Sequence, residues 1–461
     1  MRSIVLAESV LYIGLDTTYD GGNNIEKASA SVHALARNLG KVVGSDHETL
    51  KSLAPELIAG SSEQLWSFGQ GLAEGSTDPR QIWMHLLSQL HIAPTDERNP
   101  HLLRGLLNGL NSTNAKLAND LLDEVMGDAI LVQWYPVLQT AVGIDGQGLT
   151  RLLYSLDLGK TWIGTYRNLV FGGVTHQIPG RDFNSLLSKI AREPEGLDVA
   201  VQILCMRLSS DEGGAQSSES EIVEIGCELI GQLEFGSRRS VRENYSLQLI
   251  ARRCLVGEKG AEVVRKVCSG LRDAVTKSVT HAFHQRELLQ ALASAQPLAT
   301  LEGLCGNDQE SLKLGLTIME QPSQLRKSAL DSIPQAELIA WCGRLPTIRY
   351  PAVAAMLIPF QPGDEGRPQW TDTARKLIDK APDRVAVLRG FIDQFIPAGW
   401  VGSQTSILQR NSGLLDEFAD HPDASVKEFI AKQKTRLSQV IQSQGEIESF
   451  MQREVDERFE Y

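Results

Sequence analysis

From about Ser61 onward the chain repeats one pattern: ten to sixteen residues with apolar positions three or four apart, then a short break of Gly, Pro, Asp or Asn. Such spacing puts the apolar side chains on one face of an α-helix. Leu65, Trp66, Phe68 and Leu72 form one segment. Asp78-Pro79 then restarts the helix with an N-cap and a first-turn proline, leading to Ile82, Trp83, Leu86, Leu87 and Leu90. The pairing recurs at Leu102–Leu110 with Leu117–Met126, and at Phe183–Ile190 with Val199–Leu208, the latter restarting at Pro194. It continues at Ile222–Leu233 with Tyr245–Leu255, Val263–Val275 with Phe283–Leu292, and Leu312–Met319 with Leu338–Leu345. The period of about 35 to 45 residues is the size of one helical-hairpin repeat.

Strand signals are nearly absent, because no run alternates strictly with β-branched residues; Asp20-Gly21 and Asp145-Gly146 follow irregular or helical text. Each helix pair carries apolar residues on more than one side, so a single pair cannot bury its faces but stacked neighbours can. The expected fold is therefore all-α: an α-solenoid of stacked helical hairpins, closed by a long C-terminal helix. The competing arrangement is two compact multi-helix domains. The polar stretch SSDEGGAQSSES divides the chain, giving a first half over 1–208, a flexible loop at 209–220, a second half over 221–422 and a capping helix over 423–461.

That last helix carries Val426, Ile430, Gln433, Leu437, Val440, Gln444, Ile447 and Met451 in a four-three alternation, the seam of a heptad repeat with two polar entries. Gly445 within it costs about 1 kcal/mol relative to Ala, which predicts a bend or fraying there. The seam offers a route to homo-oligomers as an alternative to capping.

The run Leu414-Leu415-Asp416-Glu417-Phe418-Ala419-Asp420-His421-Pro422-Asp423-Ala424-Ser425-Val426-Lys427 resembles one HEAT-like repeat. The resemblance implies that Asp423 caps the second helix, Val426 enters the core and Lys427 faces outward. More diffusely, the texture around Leu65–Leu72 and Arg104–Leu107 resembles TPR-like and HEAT-like helical-repeat regions of large bacterial NTPases and antiviral defence proteins. This likeness implies recognition of protein ligands over catalysis, although no motor or effector domain accompanies the repeats.

Composition narrows the class. Hydrophobic residues are 42%, charged residues 22% and aromatics only 6%, which excludes disordered and collagen-like chains. No segment approaches the roughly 18 uninterrupted apolar residues of a membrane span. Six cysteines stand singly with no C-x-x-C pair, and Glu8 interrupts the apolar amino end, so a reducing cytoplasm is expected. The net charge is -12, yet between Arg238 and Arg286 eleven Lys and Arg face four Asp and Glu. This local excess of seven positive charges leaves -19 on the remainder. Arg238, Arg239, Arg242, Arg252, Arg253, Arg265, Lys266 and Arg272 are the candidate binding residues of this basic stripe. It can contact an acidic protein or nucleic acid, or pair with the acidic remainder of its own chain.

Signals for catalysis are weak. Gly159-Lys160-Thr161 ends like a phosphate-binding loop, but Tyr154 stands where the first glycine belongs. No Gly-x-Ser-x-Gly elbow occurs. His281, His284 and Glu287 drift along one helix face without a further ligand nearby in sequence, and Asp211-Glu212 sits in a flexible loop. Trp66, Trp83, Trp134 and Trp162 are expected in the core. The expectation is thus a non-enzymatic protein-recognition or scaffold module, the sensor part of a bacterial defence or signalling assembly, with no cofactor or metal. Its rival is a nucleic-acid-binding solenoid resembling the HEAT-like DNA glycosylases.

Overall fold

The computed structural model describes residues 2–6, 23–210, 220–236, 241–320, 328–363, 367–396 and 399–459, and no side chain beyond 453. The protein is all-α: the described residues hold 23 α-helices, several 3-10 turns and one two-stranded ribbon. They divide into two compact units, Met1–Leu229 and Ile230–Tyr461. The division follows Leu229, later than the break expected at 209–220, of which residues 211–219 lie outside the described residues.

The first unit contains α1 (Arg2–Val5), α2 (Asn23–Gly44), α3 (His47–Ala59), α4 (Gln64–Gly75), α5 (Pro79–Ile92) and α6 (His101–Thr113). It continues with α7 (Ala115–Val125), α8 (Tyr135–Gln139), α9 (Gly146–Asp157), α10 (Gly180–Arg192), α11 (Gly196–Ser210) and all but the last two residues of α12 (Ser220–Gly231). Capping residues fix the starts. Asp46 accepts from the Thr49 amide at 3.1 Å, Asp78 from Gln81 at 3.1 Å, Asn114 from Leu117 at 3.1 Å and Asp145 from Gly148 at 2.7 Å. The expected restart at Pro194 comes two residues later, because Glu195 turns through φ 61° before the helix begins at Gly196.

Helices pack on their next-but-one neighbours, α4 against both α2 and α6, while α3 touches α5 in a second layer. The α2, α4 and α6 layer is set by glycine. A Cβ at Gly40 or Gly71 would collide with backbone of the facing helix; at Gly44 it would lie 2.7 Å from the Leu72 carbonyl oxygen, and at Gly109 2.7 Å from that of Gln70. Gly40 faces Gly71, and Gly75 lies against Lys41 one turn further on, so the three helices run parallel with their backbones touching. Toward the second layer, Leu65, Phe68, Leu72, Leu103, Leu106, Leu107 and Leu110 are fully buried with Ile82, Trp83 and Leu86 of α5. Burial of each such side chain stabilises by about 1.5–3 kcal/mol.

The second unit contains α13 (Val241–Cys254), α14 (Gly257–Thr276), α15 (Arg286–Ala295), α16 (Pro297–Leu304), α17 (Gln309–Met319) and α18 (Gln335–Arg344). Then come α19 (Pro346–Ala354), α20 (Asp372–Lys380), α21 (Arg384–Asp393), α22 (Gln404–Ser412) and α23 (Ala424–Phe459). The i to i+2 packing continues: α14 on α16, α16 on α18, α18 on α20, and α17 on α19, α19 on α21, α21 on α23. Helices α16 and α19 escape the sequence pattern because they have only 8 and 9 residues, each started by a first-turn proline. Phe283, expected on a helix, stands exposed in a 3-10 turn ahead of α15.

The ribbon pairs β1 (Phe360–Pro362) with β2 (Pro368–Trp370), antiparallel. Its three-residue strands, ended by prolines, are too short to leave an alternation. It delivers Trp370 into a cluster with Phe391, Phe395 and Phe418, where the indole N–H donates to the Leu414 carbonyl at 2.9 Å. Around the HEAT-like run, Asp423 accepts from the Ser425 amide at 3.0 Å, Val426 is buried and Lys427 is exposed. Helix α23 runs unbroken through Gly445, which lies under Thr405, so the expected bend is absent. Of the seam, Val426, Ile430 and Leu437 are buried against the chain's own α21, α22 and 413–418 turn, while Ile447 and Met451 are exposed.

Two glycine substitutions separate these environments. Gly71→Ala drives a methyl into the Arg37 carbonyl and should lower stability by at least about 2 kcal/mol. Gly445→Ala meets only Thr405 at an ordinary 3.7 Å and should stabilise α23 by about 1 kcal/mol. Urea unfolding followed by circular dichroism reads both; equal effects of the two would refute the close backbone packing.

Candidate functional site

The described residues cover only part of the basic segment. Arg238 and Arg239 lie outside the described residues, as does the side chain of Arg242. Arg252 and Arg253 are exposed in the last turn of α13, where a cation complements the helix dipole. On α14, Arg265 is held by Glu258 at 3.2 Å and by Glu302 of α16 at 2.9 Å. Glu302 also receives Arg344 of α18 at 2.8 Å. Lys266 donates to the Gly231 carbonyl at 3.0 Å, and half-buried Arg272 lies 3.8 Å from Asp273. Arg286 is buried against Glu287 at 2.7 Å and lies over the Phe283 ring. Three helices thus share an Arg265–Glu302–Arg344 chain: much of the local positive charge is answered by carboxylates of the same unit. Burial pushes the Glu302 carboxyl up, but the hydrogen bonds from its two arginines outweigh it and hold it below the usual range.

Beside this chain lies a row of thiols. Cys268, Cys305 and Cys342 recur 37 residues apart and all are buried. Desolvation pushes each up to about 12, so they are protonated at neutral pH and poorly nucleophilic. Next to the last two, buried Arg349 stacks 4.1 Å over Trp341, donating to the Trp341 carbonyl at 2.8 Å and to Asn307 at 3.1 Å. The 37-residue recurrence is a repeat signal that reading the cysteines singly overlooks.

A second surface escapes the charge count altogether. On the side of α2, α4 and α6 away from their leucine core, polar residues form rows across the helices. His33 of α2 bonds Ser67 of α4 at 3.0 Å, and Arg37 and Lys41 converge on Glu74, at 2.8 and 2.9 Å. Gln70 donates to Asn108 of α6 at 2.6 Å, and Asn108 to the Ala141 carbonyl at 2.8 Å; Asn111 reaches the Val142 carbonyl at 3.2 Å. Arg104 lies 4.9 Å over the Trp66 ring and donates to Thr140 at 3.3 Å. Among the described residues Arg104 has no carboxylate partner, and desolvation lowers its pKa. The bond from Arg37 holds the Glu74 carboxyl low against the opposing pull of its burial, and Lys41 adds to it. The sequence signal for this surface was the Gly-x-x-x-Gly spacing at 40/44, 71/75 and 105/109, which aligns the three helices.

The other sequence candidates resolve plainly. Gly159, with φ 61°, closes α9, and Thr161 donates to the Val132 carbonyl, so Gly159-Lys160-Thr161 is a helix-ending turn. His281 and His284 meet ring to edge at 5.7 Å, while Glu287 faces Arg286; the described residues include no group of three metal-ligating side chains. Trp83 is buried as expected, Trp66 and Trp134 are half-buried, and Trp162 is 66% exposed. Trp162 departs from expectation because it stands in a turn ahead of the 3-10 segment Ile163–Val170 and not on an amphipathic helix. No described helix is long and apolar enough to cross a membrane. Comparison of the chain with protein-family models, curated proteins and solved structures returns no match.

The Glu302 chain predicts an acid-sensitive contribution. Because the folded pKa lies below the unfolded value near 4.5, the stabilisation is complete above that value and is lost as pH falls through the folded pKa. Glu302→Gln should cost about 1 kcal/mol at pH 7 and progressively less as the pH falls below the ordinary carboxylate range. A difference in urea midpoint that persists unchanged into acid would overturn this assignment.

Proposed function

We propose that the chain is a protein-recognition or scaffold module, and that within each unit the stacked hairpins form an α-solenoid of HEAT-like kind. The observation that supports this reading is the inter-helix ladder of polar side chains. Its rungs join residues about one hairpin apart: Arg37 to Glu74 across 37 positions, Gln70 to Asn108 across 38, Arg265 to Glu302 across 37 and Arg375 to Glu417 across 42. Each hairpin buries its apolar faces against the next and turns a row of polar side chains to solvent. Such a surface suits a partner laid along the stack, since every hairpin adds contacts at a fixed step. The intramolecular pairing of Arg265, Arg272 and Arg286 leaves the basic segment less charge for phosphates than its composition offers.

Selection tests the reading directly. The full chain is immobilised, panned against a displayed library of random 16-residue peptides, and compared with binding of a 20-base-pair DNA duplex. Enriched peptides that bind in solution are expected, with little duplex binding. No enriched peptide, together with salt-sensitive duplex binding abolished by Arg252→Glu with Arg253→Glu, would instead establish the nucleic-acid reading.

A further inference from the structure

We propose that the polar face of α2, α4 and α6 docks an extended acidic segment of a protein partner, anchored at the Trp66–Arg104 stack. The inference rests on the protein-recognition reading and adds the site and the chemistry of the ligand. Three features of the face carry it.

The first is uncompensated charge. Arg37 and Lys41 share a single carboxylate, Glu74, and Arg104 has none among the described residues. Arg104 carries five N–H donors, and the fold engages one, at Thr140, with its Nε buried and unpaired. Glu63, exposed at the start of α4, is the other carboxylate beside the row. His101 adds no charge, because burial and then Arg104 lower its pKa from 6.5.

The second feature is the stack itself. The guanidinium lies 4.9 Å from the centroid of the Trp66 ring with its Nε buried, so ring and burial restrain a cation whose remaining N–H groups suit a carboxylate. A fixed arginine gives up little side-chain entropy on binding.

The third is the amide row. Asn108 and Asn111 each direct one N–H to a backbone carbonyl of the fold and Gln70 gives one to Asn108 within the row, leaving each amide a second N–H and carbonyl lone-pair capacity. An extended main chain offers donors and acceptors alternately, which is what such amides match. Nucleic acid fits less well, since a phosphate backbone is gripped by several unpaired cations in line and this face pairs two of its three with Glu74.

Fluorescence anisotropy of the full chain at low salt tests the proposal, using three probes. These are a fluorescein-labelled dodecapeptide of alternating Glu and Ser, its Lys-for-Glu counterpart and a twelve-residue oligothymidylate. The Glu peptide should bind and the Lys peptide should not. Arg104→Ala should weaken binding about tenfold, and so should Arg37→Ala with Lys41→Ala, whose side chains are exposed and outside the core. The double variant guards against loss of fold in Arg104→Ala, and Arg252→Glu with Arg253→Glu should leave binding unchanged. If the Glu peptide binds with equal affinity to all variants, or if the oligothymidylate binds more tightly through Arg104, the proposal is overturned. Peptides enriched from the random library that bind independently of Arg37, Lys41 and Arg104 refute this site alone and leave the recognition reading standing. Failure of every peptide refutes that reading too.

Discussion

The first unit depends on the contact of backbone with backbone between α2, α4 and α6. Glycine at 40, 44, 69, 71, 75, 105 and 109 removes the side chains that would otherwise separate these helices, and several facing carbonyls occupy the space a Cβ would need. Close approach increases dispersion contacts along the helices and fixes their register, because the glycines of one must meet those of the next. Every polar rung of this layer inherits that register: Arg37 reaches Glu74, and Gln70 reaches Asn108, only while the parallel helices keep this offset. The second unit uses a different device. There the helices are joined by shared ions and by tilted and edge-to-face rings, Arg265–Glu302–Arg344 in one place and Trp370 among Phe391, Phe395 and Phe418 in another.

Electrostatics in this protein is arranged by helix rows and not by sequence segments. Counting along the chain isolates Arg238–Arg286 as the basic region, but a carboxylate one hairpin away answers Arg265, and neighbouring acids answer Arg272 and Arg286. Conversely, the segment that contains Arg37, Lys41 and Arg104 is unremarkable in composition, yet folding gathers the three cations onto one face. Folding, and not charge density along the chain, decides which cations are left without a carboxylate.

Much of the architecture was legible in the sequence. Capping at Asp78, Asn114 and Asp423 marks helix starts because a side-chain oxygen satisfies amides that no helical carbonyl can reach. Helices α16 and α19 were not legible, since two turns are too short to show a period, and neither was the ribbon that seats Trp370. The 37-residue recurrence of Cys268, Cys305 and Cys342 is present in the sequence, but it marks a repeat only once the thiols are known to be small, buried core residues. Trp162 stands outside the core because it lies in a turn among Lys160, Thr161 and Gly164 and not on an apolar helix face.

The sequence by itself determined an all-α chain of short amphipathic helices joined by brief turns, because apolar spacing and capping act within a few residues of one another. Which helices lie side by side, which cations find a carboxylate and which polar side chains face solvent together were decided only by tertiary structure. The partners there are some 36 to 42 residues apart, as with Arg104 and Thr140 or Arg344 and Glu302, and no local pattern reports their meeting. The surface around Trp66 and Arg104 exists for that reason: its rows join residues one helix pair apart in the chain.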